Sequence, residues 1–76
     1  MEHIERKLLE ILEQAIQMEK LAAERYRRGQ ELAVQEDVKL MFEKLVQDEM
    51  GHERLLKERY IQIKKKLGLK IMKEDE

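Results

Sequence analysis

The chain has 76 residues, 17 acidic and 16 basic side chains for a formal charge of −1, and neither cysteine nor proline. That length allows one small domain; the missing cysteines exclude a disulfide framework, a zinc ribbon and an iron–sulfur cluster. Balanced charge argues against a nucleic-acid binder, whose footprint is a basic patch or stripe. No stretch approaches the ~20 apolar residues of a membrane span. The N-terminus MEHIERKLLE is charged throughout and is not expected to be a signal peptide, so the expected location is the cytoplasm. The chain has only three glycines, Gly29, Gly51 and Gly68. Strand-rich folds need frequent turn residues, so the chain reads as all-α.

The first predicted helix covers about residues 4–34. Ile4, Leu8, Ile11, Leu12, Ala15, Ile16, Ala22, Ala23, Tyr26 and Ala33 recur at intervals of three and four, which marks a helix face. Gln35-Glu36-Asp37 is the expected break, with Asp37 capping the second helix by accepting a backbone N–H. That second helix is expected over about 37–67. Its seam reads Val38, Phe42, Leu45, a polar gap, then Leu56, Tyr60, Ile63 and Leu67. Lys64-Lys65-Lys66 followed by Gly68 makes a helix stop. Glu24–Arg28 and Glu53–Lys57 are expected as pairs on the outer faces, and residues 68–76 form a short tail.

The expected fold is therefore a single two-helix antiparallel hairpin. Two helices side by side cannot enclose a core, and chains this small usually need a metal, a staple or a partner. The simplest closed assembly is a homodimeric four-helix bundle, or a higher homo-oligomer built on it.

Three polar residues interrupt the seams. Beyond Ala15 the next slot of the first helix falls on Met18 or Glu19. In the second, positions 42, 45, 49, 52 and 56 keep steps of three and four, so Glu49 and His52 stand where Leu or Ile would be expected. A turn near residues 35–36 makes facing residues add to about 71. Glu19 is then level with His52, and Glu49 lies one turn nearer the loop. All three fall near the middle of both helices, where a second copy would bring its own set. The total is four carboxylates and two imidazoles, which matches a di-iron carboxylate site of single glutamates and Glu-x-x-His pairs. Bridging carboxylates offset the repulsion between two divalent ions, and imidazoles supply nitrogen ligands suited to iron. Glu49 is the expected bridge, with Glu19 and His52 as terminal ligands for two iron ions per dimer; manganese and zinc fit the same donors.

Glu-x-x-His alone says little in so Glu-rich a chain. The alternative for these residues is a core or interface histidine bonded to a neighbour and a glutamate reaching water. The coincidence of three seam positions at one height favours the metal. Gly51 reads equally as a tolerated surface glycine or a point of close helix approach. Met18, Met41 and Met50 read as core or packing residues rather than ligands, and His3 as a solvated terminal residue. Tyr26 reads as a core residue whose hydroxyl could also reach a ligand carboxylate, since helical side chains lean toward the N-terminus.

At EKLAAERY, with Glu19 seven residues before Tyr26, and at MFEKLVQDEMGH, with Phe42 seven residues before Glu49, the sequence resembles the rubrerythrin and ferritin-like superfamily over roughly residues 8–60. The resemblance implies iron ligands at Glu19, Glu49 and His52, and Tyr26 as a neighbour supporting them. Family members commonly hold two hairpins in one chain, and rubrerythrins usually add a four-cysteine rubredoxin module. They also carry an extra ligand carboxylate at the position of Ile16. Lacking these, the chain is closer to single-hairpin relatives that oxidise or store iron, including encapsulated ferritins. The implied activity is Fe(II) oxidation by dioxygen or peroxide, with a shell or an electron donor as possible further partners and 69–72 as a candidate docking segment. The competing function is a non-enzymatic helical-hairpin assembly module whose polar seam residues pair across the dimer.

Overall fold

Two helices of 31 residues each, α1 (Glu2–Leu32) and α2 (Glu36–Lys66), run antiparallel in the computed structural model, which describes residues 2–69. The hairpin measures 50 × 21 × 13 Å, so it is one helix thick and has two broad sides. No helix among the described residues is long and apolar enough to cross a membrane.

The break falls at residues 33–35 rather than 35–37. Gln35, in an extended conformation, is the N-cap of α2, and its side chain makes no capping bond. Asp37 lies inside the first turn, where its carboxylate accepts the Val38 N–H at 2.9 Å. Beside Glu36, it still places negative charge at the positive end of the helix dipole. At the other end Gly68 adopts φ +72°. Its N–H bonds the Lys65 carbonyl at 3.0 Å, and the Leu69 N–H bonds the Lys64 carbonyl at 2.9 Å. This pair of bonds is a Schellman stop. Leu69, just past it, packs against the core. The rest of the candidate docking segment, 70–72, lies outside the described residues.

Three contacts spread along the hairpin, Gly29 with Phe42, Glu19 with His52 and Glu5 with Lys66, all join residues whose numbers add to 71. The interhelical core is small. Leu9, Ile16 and Tyr60 are buried together, with Leu12, Leu56 and Ile63 packed against them, and Ala23 and Val46 are buried nearer the loop. Leu9 and Val46 are absent from the seams drawn from the sequence. Ile16, where rubrerythrins place a carboxylate, is only 8% exposed and belongs to this core.

The remaining apolar positions of α1 point elsewhere. Ile4, Leu8, Ile11 and Met18 are 43–62% exposed. At about 100° per residue, this stripe is turned roughly a third of a turn from the Leu9–Ile16–Ala23 line. On α2, Met41 and Leu55 are likewise exposed. The two stripes are displaced in the same rotational sense when each helix is viewed from its own N-terminus. Antiparallel helices thus put both on the same broad side. Met18 and Met41 therefore lie on this open side and not in the hairpin core, while Met50, also exposed, accepts a 3.7 Å hydrogen bond from Arg27 Nη2 across the hairpin.

Surface pairing is partly as expected. Lys57 meets Glu53 at 3.0 Å, but these side chains are 29% and 26% exposed and do not lie on an outer face. Arg28 pairs with Glu31 at 3.2 Å instead of Glu24.

Candidate metal centre

Glu19 and the Glu49–His52 pair reach one another because of the register. Glu19 lies in the angle between the two apolar stripes of α1. Its carboxylate faces α2, whereas its neighbour Met18 is 62% exposed, which settles the choice between the two positions. On α2 the i, i+3 spacing puts Glu49 and His52 on one face. His52 Nδ1 stands 3.4 Å from Glu19 Oε2 and 3.8 Å from Glu49 Oε2. One donor atom from each of the three residues can be chosen so that all lie within 4.8 Å of one another, a spacing that could hold a metal ion.

Burial is uneven. The Glu49 and Glu19 side chains are 17% and 25% exposed, but His52 is 60% exposed. His52 thus sits at the edge of the cluster toward the open apolar side. Glu19 Oε2 is buried and has no hydrogen-bond partner. A buried acceptor left unsatisfied costs about 1–3 kcal/mol, and more when charged. Two carboxylates and an imidazole, with one oxygen buried and unpaired, fit a divalent cation.

Tyr26 is half-buried two turns along α1 from Glu19, its ring 6.3 Å from that of Phe42 and tilted by 32°. Phe42 lies over Gly29, where a Cβ would come within 2.6 Å of the ring. The point of close helix approach is therefore Gly29. At Gly51 a Cβ would meet nothing within 4 Å. Sequence reasoning also missed Glu13, which accepts a 2.6 Å hydrogen bond from the Tyr60 hydroxyl while Lys64 sits 5.2 Å from the Tyr60 ring centroid. Glu13 and Tyr60 nearly share the register of the other pairs, which was the available signal.

A helical hairpin with two carboxylates and an imidazole at mid-length has the make-up of half a carboxylate metal-binding bundle. The rubrerythrin family model matches residues 5–76, and the chain belongs to the rubrerythrin family of the ferritin-like superfamily. No curated protein and no solved structure gives a significant match.

Proposed function

We propose that the chain binds iron at Glu19, Glu49 and His52, that two chains share one centre of about two iron ions in a four-helix bundle, and that the centre oxidises Fe(II). The observation that carries this reading is the buried, unpaired Glu19 Oε2 beside an imidazole that faces the open side of the hairpin. One chain offers three donor residues. A second copy laid on the open side would add an equal set.

Bound iron supplies the electron that dioxygen or peroxide takes up. The chain supplies charge and shape. Glu19 and Glu49 provide anionic oxygens that offset the metal charge, and His52 provides a neutral nitrogen donor when deprotonated. Ile16 keeps the turn before Glu19 apolar where rubrerythrins have a further carboxylate. Tyr26 lies on the Glu19 side of α1, and we assign it a positioning role toward a ligand carboxylate. Tyr26→Phe is expected to slow oxidation while leaving iron stoichiometry unchanged.

The competing reading is a non-enzymatic assembly hairpin. The closeness of His52 to both carboxylates supports it, because a protonated imidazole would pair with them. Anaerobic Fe(II) titration followed by air, watched by absorbance, separates the two. A saturable rise in near-ultraviolet absorbance supports iron oxidation at the site. Background oxidation with no saturable binding supports assembly alone.

A further inference from the structure

We infer that Met50 is a site of reversible oxidation by hydrogen peroxide, and that Arg27 holds the resulting sulfoxide across the hairpin. Arg27 Nη2 donates a 3.7 Å hydrogen bond to Met50 Sδ, which joins α1 to α2. A thioether sulfur is a weak acceptor. A guanidinium is suited to strong, charged or polar oxygen acceptors, yet among the described residues Arg27 makes no ion pair. The pair is mismatched as it stands, and oxidation of the sulfur removes the mismatch.

Met50 is also the methionine that pairing of two chains leaves open to peroxide. It directly follows Glu49 in the sequence and is 42% exposed. At about 100° per residue, it is turned from the buried Val46–Tyr60 line of α2 in the sense opposite to Met41 and Leu55, toward the other broad side of the hairpin. Met18 and Met41 are more exposed in the single hairpin, but a second copy on the open side would cover them. The proposal does not depend on iron, because peroxide is the oxidant and the sulfur is the reductant.

The step balances simply. A lone pair on Sδ attacks one oxygen of hydrogen peroxide as the O–O bond breaks. That oxygen stays on the sulfur, and the other leaves as water with both peroxide protons. The sulfur loses two electrons and the peroxide gains them. The flexible thioether becomes a polar sulfoxide, whose oxygen is bonded to an atom already 3.7 Å from Nη2. A hydrogen bond from a charged donor to that oxygen is stronger than one to a thioether. In a packed core, sulfoxide formation disrupts. At Met50 it exchanges a weak contact between α1 and α2 for a stronger one, and reductases that act on methionine sulfoxide restore the thioether.

The test uses a Met18→Leu/Met41→Leu/Met72→Leu background, which leaves Met50 as the one internal methionine. The protein is kept metal-free with chelator, so the outcome is independent of the iron reading. Graded hydrogen peroxide is followed by peptide mass spectrometry and by circular dichroism melts. The expected result is gain of one oxygen at Met50 and a rise in melting temperature of roughly 2–4 °C. Methionine sulfoxide reductases should return the original midpoint, and high salt should shrink the rise by screening the guanidinium. In Arg27→Leu the same oxidation should give no rise. Met50 left unoxidised at a peroxide level that oxidises free methionine overturns the proposal. So does an oxidised protein that melts at the same or a lower temperature, or an equal rise in Arg27→Leu. If Arg27→Leu does not fold, the salt series decides in its place, and a rise undiminished at high salt overturns the role of Arg27.

Discussion

His52 Nδ1 lies 3.4 Å from Glu19 Oε2 across the hairpin, yet that oxygen, buried on the α1 side, has no hydrogen bond. The two groups are close without satisfying one another. Glu19→Leu therefore removes an unpaired acceptor from a seam position. The chelated protein should keep its helicity and melt at the same temperature or higher, gaining as much as about 1–3 kcal/mol, while iron binding is lost. Circular dichroism melts and metal analysis check both halves. A large loss of stability in the apo protein would show that the pairing with His52 is structural.

The open side of the hairpin predicts an obligate dimer. Ile4, Leu8, Ile11, Met18, Met41 and Leu55 are all more than 40% exposed on that side. Fully burying each large apolar side chain is worth roughly 1.5–3 kcal/mol. Sedimentation at micromolar concentration should give a dimer or a multiple of it. A folded, helical monomer would contradict the prediction.

Iron should raise the melting temperature. A ligand that binds the folded state alone stabilises it by mass action, by about 2.7 kcal/mol at a hundred times its dissociation constant. Anaerobic melts with excess Fe(II) and with chelator make the comparison, and identical midpoints would count against the site.

The two helical glycines should respond in opposite ways to alanine. Gly51 faces open space, and Gly51→Ala should stabilise the chain by about 1 kcal/mol through helix propensity. At Gly29 the added methyl would meet the Phe42 ring at 2.6–2.8 Å. The ring must swing away, and its lost packing offsets the propensity gain. Gly29→Ala should be neutral or destabilising in denaturant unfolding. Equal stabilisation by both would mean that the Gly29–Phe42 approach is unimportant.

The two helices, their antiparallel register and the meeting of Glu19, Glu49 and His52 are legible in the sequence because they depend on spacing. Steps of three and four place residues on a face, and the position of a turn fixes which residues are level. How the apolar arc divides between neighbours is not legible. A helix in a bundle touches two others, so Leu9 and Ile16 look no different in sequence from Ile4 and Ile11. Only the packed hairpin shows that the first pair faces α2 and the second faces outward. The sequence points to a loop two residues too late because Asp37 is the better capping residue. A cap is worth about 1 kcal/mol, which packing along the hairpin can outweigh. The roles of Gly29 and Glu13 depend on contacts across the hairpin with Phe42 and Tyr60 that no local signal announces.

The shared di-iron site is tested most directly by iron stoichiometry per dimer in the wild type, His52→Leu and Glu49→Leu, with Glu58→Gln, an exposed glutamate away from the cluster, as the control. Each leucine variant removes one donor residue per chain. About two iron ions per dimer are expected in the wild type and the control, with loss of bound iron in both leucine variants while they remain helical dimers. Wild-type stoichiometry persisting in His52→Leu and Glu49→Leu alike would rule the shared site out.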